Sequence, residues 1–341
     1  MIADRESCRK YFVEEGHMEK IYDKCCGVDI HKKVIVACFK QGRKQEIREF
    51  GATTRELLEM TQWLEEGGCE QVAMESTASY WKPVYNILES AGLGAIVVNA
   101  QHMRAVPGRK TDATDAEWIA DLLQHGLLKA SFIPDKARRE LRELVGYRKS
   151  LIKEQAAELN RLQKILEGDN IKISGTIKAI NGKSGRNLLE TLLTGKKIDL
   201  AKITKMRRDK LIAANLKATD EQLVEDLNGV LSTLQKKMMR TMLTHIDKLA
   251  KHIKELDDEI DRNMKDEEKI AAANIQEIPG IGNTSAEAVI AVISTDMSRF
   301  PTDRHISSWA GLCPGNNESA KKRKSGKTRK GNALLRSTLI I

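Results

Sequence analysis

Aromatic residues make up only 4% of this 341-residue chain. Reading nucleobases by stacking them on many ring faces would require more, so recognition of that kind is not the leading expectation. The cysteines, at 8, 25, 26, 38, 69 and 313, form no Cys-x-x-Cys pair and no Cys/His ligand spacing. Neither a zinc centre nor a disulfide framework is therefore expected, and Cys25, Cys26 and Cys38, set in apolar runs, read as buried thiols. No run approaches the roughly 18 apolar residues of a membrane span. The opening stretch "MIADRESCRKYFVEEGHMEK" has no apolar leader segment, which makes a cytosolic protein the expectation.

What is abundant is charge. Charged residues are 31% of the chain, the net charge is +9 and the pI is near 9.1. Between Arg299 and Arg336 ten Lys/Arg stand against Asp303 and Glu318, a net of +8, which places the excess near the C-terminus. A surface for a polyanion carries such a signature, and a solvated basic tail carries it too. The length suffices for two or three domains, each with its own core.

Along the chain, "CCGVDI" and "VIVACFK" are β-rich runs separated by the polar "HKK", a hairpin pattern. The stretch "TTRELLEMTQWLEEGG" predicts a helix begun by Thr and ended by Gly67-Gly68, "CEQVAMEST" a buried strand, and "YWKPVYNILESAG" a second helix. "LGAIVVNA" follows as a strand and "DATDAEWIADLLQHG" as a helix ending at Gly126. Strands alternating with helices in this way predict an α/β domain. From Pro134 the pattern changes to a long helix rich in Arg and Lys, and 169–229 reads as a small helical insertion.

Neither Gly nor Pro interrupts Val230 to Ile278, and Met239, Met242, Ile246, Leu249, Ile253, Leu256 and Ile260 recur in steps of three and four. This heptad seam suits either packing against the chain's own arginine-rich helix or contact with a second copy. The turn "IPGIGNTSAEAVIAVI" resembles the hairpin of helix-hairpin-helix units, in which backbone N–H groups meet a phosphate. An ordinary interhelix turn uses the same residues.

Four acids stand out. Asp29 follows the first predicted strand and Glu75 ends a later one, while Asp112 and Asp115 in "KTDATDA" share a helical face. Singly, each has a bland role: a turn residue, a lysine partner, a helix cap, a first-turn acid favoured by the dipole. Together they would repel one another unless a cation lay between them, and an all-oxygen set suits Mg²⁺ or Mn²⁺. The order strand–Asp–hairpin, strand–Glu, strand, helix with Asp-x-x-Asp is that of an RNase H/RuvC-like nuclease core.

The segments "GVDIHKK", "AMESTASYW", "NAQHMRAVPGRKTDATDAEWIADLLQHGLL", "IPGIG" and "WAGLCPGNNESAKKRKSGKTRKGNALLR" resemble, in this order, the DEDD insertion-sequence transposases. Relatives of that family include the Piv-type site-specific DNA invertases. The resemblance runs from about residue 24 to the C-terminus and is weakest between 169 and 229. It implies an α/β plus α architecture: an extension at 1–20, a RuvC-like catalytic domain at 21–168, the helical insertion at 169–229, a coiled-coil region at 230–273 and a mainly helical transposase domain at 274–341, with a helix-hairpin-helix-like element. The last of these is expected to be cut short, because "LLRSTLII" begins an apolar helix that family members continue.

The same resemblance implies Asp29, Glu75, Asp112 and Asp115 as ligands of Mg²⁺ or Mn²⁺, and Ser319 as a nucleophile, with Ser325 the alternative. Lys321, Lys322, Arg323, Lys324, Lys327, Arg329 and Lys330 would hold the scissile DNA, with further contacts from Lys32, Lys33, Arg109, Lys110, Gly280 and Gly282. A solvated turn explains Lys32 and Lys33 equally well. The implied activity is transposition in a prokaryotic, nucleoid-associated setting, on donor and target DNA, directed by an element-encoded bridge RNA, in a dimer or tetramer. A metal-dependent junction endonuclease and an inactive nucleic-acid-binding remnant are the competing readings.

Overall fold

The computed structural model describes residues 20–76, 78–99, 115–177, 179–213, 216, 218–314, 318–319, 322–323, 326–328 and 331–340. At 318–319 and 322–323 it describes the backbone alone. The chain divides into two compact units, Met1–Pro134 and Asp135–Ile341.

The first unit is built on a mixed sheet. Its elements are β1 (Lys24–Ile30), β2 (Val34–Gln41), β3 (Lys44–Gly51), α1 (Thr54–Glu66), β4 (Gln71–Glu75), α2 (Trp81–Ser90), β5 (Ala95–Val98) and α3 (Asp115–Gln124). The strand order is β3-β2-β1-β4-β5. The first three strands form an antiparallel meander, with Asp29 opposite Val36, and β4 and β5 run parallel to β1. The predicted hairpin thus gains a third strand. β3, "KQEIREFG", is an exposed edge strand carrying four charges. Its pairing comes from its neighbour rather than from an apolar face of its own, so hydrophobic alternation does not reveal it.

Side-chain alternation divides β1 between two cores. Cys26, Val28 and Ile30 join Val72, Met74 and Val97 beneath residues of α1 and α2. Cys25 joins Ala73, Val98, Ile119 and Leu123 beneath α3. Gly27 shares this second face, and its missing side chain is what α3 uses. A Cβ at position 27 would stand 2.3 Å from both the Ala116 carbonyl oxygen and the Ala120 backbone nitrogen. The small residues Ala116 and Ala120, fully buried, complete the close approach. Around its rim, α3 is tied to the meander by an ion pair from the buried Lys40 to Asp121 and by Gln45 Nε2 donating to Glu117 Oε1 at 3.0 Å.

The second unit is mainly helical. It comprises α4 (Lys136–Gly168), α5 (Ile173–Thr176), α6 (Lys183–Leu193), α7 (Leu200–Arg208), α8 (Asp220–Asp226), α9 (Thr233–Asn263), α10 (Asp266–Gln276), α11 (Asn283–Ile293) and α12 (Asp303–Trp309). A short ribbon, β6 (Glu318–Ser319) with β7 (Lys322–Arg323), and α13 (Ala333–Leu339) follow. Ser232 and Gln235 form a capping box at the start of α9, which stabilises that end by satisfying backbone donors. Met239 and Ile246 of the seam, together with the adjacent Leu243, are buried with Leu162 and Leu166 of α4, and Ile260 is buried with Leu141 and Val145. Of the two uses open to the seam, packing against the chain's own arginine-rich helix is therefore present. The segment 169–229 folds as α5 to α8 around Leu188, Leu189, Ile203 and Leu223, which are wholly buried.

One cation lies at the centre of this unit. Arg148, fully buried, pairs with Asp257 of α9 at 2.7 Å and with Glu287 of α11, and donates to the Thr284 carbonyl at 3.2 Å. Two further arginines of α4 cap the end of α11. Arg138 donates to the Ile290 carbonyl at 3.1 Å, and Arg142 to the carbonyls of Ala291, at 3.0 Å, and Val292. Burial, together with the nearby Arg138 and Arg299 charges, pulls the Arg142 guanidinium down to about 10. Among the described residues no helix is long and apolar enough to cross a membrane.

Two consequences can be measured. Gly27→Ala forces Ala116 and Ala120 away from β1, and overpacking of this kind costs about 3 kcal/mol. The urea transition of the first unit, followed by fluorescence of Trp63, Trp81 and Trp118, should move to lower denaturant. The buried thiols also carry a pH signature. Burial pushes Cys25 and Cys69 up to about 12 and Cys38 up to about 11, against about 8.5 for a free thiol. The folded state then binds more protons than the unfolded state above that value, so stability falls as pH rises. Thermal unfolding at pH 8, 9, 10 and 11 should show a decline confined to the alkaline side of about 8.5, and Cys→Ser at 25, 26, 38 and 69 should flatten it, since burial raises Cys26 as well.

Candidate active site

Strand geometry brings two of the four acids together. The β1–β4 ladder pairs Gly27 with Ala73 and Val28 with Met74, so Asp29 and Glu75 come next in register. Asp29 lies two residues beyond Gly27, and Glu75 two beyond Ala73. Period-two alternation therefore sets both on the face covered by α3. Each is half-buried.

The third acid comes from the helix. The C-terminal end of α3 lies at the start of β1, where the Gln124 carbonyl accepts from Ile21 N at 2.8 Å. The Cys25 thiol donates to the Ala120 carbonyl at 3.8 Å, one turn further back. The helix accordingly runs antiparallel to β1, and its first residue, Asp115, lies at the carboxyl end of that strand. Asp115 immediately precedes Ala116, the residue in contact with Gly27. An acid at this first position also complements the N-terminal end of the helix dipole. Asp112 lies outside the described residues, as do Arg109 and Lys110.

The three described carboxylates are of one chemical kind, oxygen donors, two at the carboxyl ends of the parallel strands β1 and β4 and one at the head of α3. Such donors match Mg²⁺ or Mn²⁺ rather than a soft metal, and their location is where open α/β sheets bind ligands. Among the described residues, no three His, Cys, Asp or Glu side chains are drawn close enough to enclose an ion. One neighbour was not anticipated: His31 Nε2 lies 3.1 Å from Asp29 Oδ2. The spacing was legible, since residues two apart on a strand face the same way. Lys32 and Lys33, just beyond, are exposed in the β1–β2 turn, which is closed by His31 N donating to the Val34 carbonyl at 3.0 Å.

In the second unit, Ser319 lies in β6, its backbone paired with Lys322, and Glu318 is paired with Arg323. A bridge between Pro314 and Thr328 continues this ribbon. Lys327 is exposed, whereas Lys321, Lys324, Ser325, Arg329 and Lys330 lie outside the described residues. The Ile278–Gly282 turn joins α10 to α11. Its Gly280 has φ = +93°, a conformation costly to any residue with a Cβ. Gly282 occupies the N-cap position of α11. Across the turn Gln276 Nε2 donates to Asn283 Oδ1 at 3.1 Å.

Comparison with known proteins supplies a family. Residues 26–170 match the family model of IS110-type DEDD transposases. Residues 272–341 match that of the transposase IS116/IS110/IS902 family. No curated protein matches the chain. The two models describe transposases of one insertion-sequence family and together cover well over half of the sequence. The chain belongs to the IS110-type DEDD transposases, enzymes that act on DNA.

Proposed function

We propose that this transposase cuts and rejoins donor and target DNA with two chemical elements, the carboxylates Asp29, Glu75, Asp112 and Asp115 and the hydroxyl of Ser319. The observation that carries the reading is the placement of Asp29 and Glu75 on one face of adjacent strand ends, with Asp115 at the head of the helix covering that face. The strand order β3-β2-β1-β4-β5 supports the RuvC-like assignment of the domain. The carboxylates would hold Mg²⁺ or Mn²⁺, and a cation there polarises the scissile phosphate and stabilises the charge it gains.

The serine performs the covalent step. Its hydroxyl gives up a proton as an Oγ–P bond forms, one strand P–O bond breaks, and the leaving strand oxygen takes up a proton. The phosphodiester bond energy is kept in the serine ester for rejoining. A neutral hydroxyl is a weak nucleophile, so the step depends on neighbouring positive charge or a base. Lys321, Lys322, Arg323, Lys324, Lys327, Arg329 and Lys330 supply charge of the right sign, and cations facing a phosphate stabilise the transition state. Lys32, Lys33, Arg109, Lys110 and the Gly280–Gly282 turn contact the backbone of the same DNA.

Selection of sites by an element-encoded RNA, within a dimer or tetramer, belongs to the same proposal. Its support is compositional: abundant Lys and Arg with few aromatic residues favour binding of backbone and shape, leaving sequence to base pairing.

The test is a donor–target recombination reaction containing the associated RNA, with covalent protein–DNA adducts trapped by denaturation. Asp29→Asn should reduce strand exchange by at least about 100-fold, the loss typical of removing a key electrostatic group. Ser319→Ala should abolish the adduct while leaving DNA affinity intact. Adducts that persist in Ser319→Ala and vanish in Ser325→Ala would move the nucleophile to Ser325. Metal-dependent hydrolysis by the wild type without any adduct would replace the recombinase reading with that of a junction endonuclease.

A further inference from the structure

The C-terminal segment is not the chain's sole concentration of positive charge. Between Lys172 and Lys217 twelve Lys/Arg stand against Glu190, Asp199 and Asp209, a net of +9. This stretch falls outside both family matches, at 26–170 and 272–341, so the DEDD chemistry does not account for its charge.

The fold gathers part of that charge along one groove. A hollow of about 710 Å³ between α6 and α7 is lined by Lys196, Lys197, Lys202 and Lys205, with the hydroxyl-bearing Thr191 and Thr194. A second hollow, of about 310 Å³, shares Lys196 and Lys197 and adds Lys236 of α9. Lys196, Lys197, Lys202 and Lys205 are all exposed, whereas Arg186 and Arg207 in the same segment are paired with Asp247 and Asp220. Glu190 and Asp199 also line the larger hollow. Asp199 is engaged as the N-cap of α7, accepting from Lys202 N at 2.8 Å.

Helix stability does not explain all of these lysines. Lys205, in the last turn of α7, complements the C-terminal end of the dipole, and Lys196 and Lys197 follow the C-terminal end of α6. Lys202, in the first turn of α7, stands where the dipole opposes a cation. Four lysines against Glu190 and Asp199 leave the larger hollow with an excess of positive charge.

The ligand's form follows from what the segment lacks. From Ile171 to Gly229 there is no Phe, Trp, Tyr or His. Single-stranded bases require stacking platforms, while duplex backbone requires only spaced cations and hydroxyl donors. We infer that the groove between α6 and α7 is a second binding surface for the phosphate backbone of duplex DNA, separate from the catalytic carboxylates and the basic ribbon. The inference rests on the reading of the chain as a DNA-acting transposase and adds a non-catalytic anchor to it.

The experiment measures binding of the full chain to a fluorescent DNA duplex, a single strand and an RNA duplex as a function of salt. The variant replaces Lys196, Lys197, Lys202 and Lys205 with Ala. A charge-matched control replaces the exposed Arg43, Lys44, Arg55 and Lys251 with Ala, and thermal unfolding confirms that both fold. For duplex DNA the groove variant should bind at least about tenfold more weakly, and its log K against log salt slope should fall by about 0.9 for each phosphate that the groove no longer neutralises. The control should retain its slope. An unchanged groove variant, or equal losses in variant and control, would overturn the inference. Loss confined to the single strand or to RNA would overturn the assignment to duplex DNA. Failure of the wild type itself to bind any DNA would instead count against the transposase reading of its activity.

Discussion

The candidate site depends on an atom that is missing. Because residue 27 has no Cβ, backbone of α3 touches backbone of β1, and the helix can start beside the carboxyl end of the strand. Any larger residue would lift α3 and carry Asp115 away from Asp29 and Glu75. The contact is local, but the rest of the face follows from it. Cys25, Ala73, Ile119 and Leu123 close the core below, and the Lys40–Asp121 ion pair fixes the helix from the side. Two acids on strands and one on a helix reach the same end of the sheet through packing.

The second unit is organised by a buried charge. Arg148 sits in α4 and engages α9 through Asp257 and α11 through Glu287 and the Thr284 carbonyl. Such a network adds little net stability over an apolar core, since desolvation cancels much of the attraction. Its effect is on register: a guanidinium with fixed donor directions accepts few alternative alignments of three helices. Arg138 and Arg142 bind the carbonyls at the far end of α11, so the helix is held near both ends. The Gly280 turn is thereby presented from a rigid element.

Charge and aromatic content together favour contact with a phosphate backbone over stacking on bases. Two segments, 172–217 and 299–336, each carry a large positive excess, and the remainder of the chain is net negative. Phosphate contacts position a duplex and set its salt dependence, while base-edge contacts specify sequence. A chain with these proportions carries the charge suited to the first task in two segments.

Much of this was legible in the residues. Alternating strand and helix patterns, the heptad seam and the order of Asp29, Glu75 and Asp115 follow from periodicities of two and 3.6 and from turn chemistry, which are local properties. Edge strand β3 was not legible, because its charged residues carry no apolar stripe and its place is dictated by β2. Nor was the partner of the α9 seam, since the same apolar stripe suits α4 or a second copy; burial of Met239 and Ile246 with Leu162 and Leu166 shows that α4 is one partner. The charge of the insertion was countable, but the groove was not, because Lys196 and Lys205 line one hollow only once α6 and α7 pack. By itself the sequence named candidate residues and their order along the chain. Tertiary structure alone decided which of them share a face, because proximity between distant residues is set by close packing, and here by position 27, where the backbones of β1 and α3 touch.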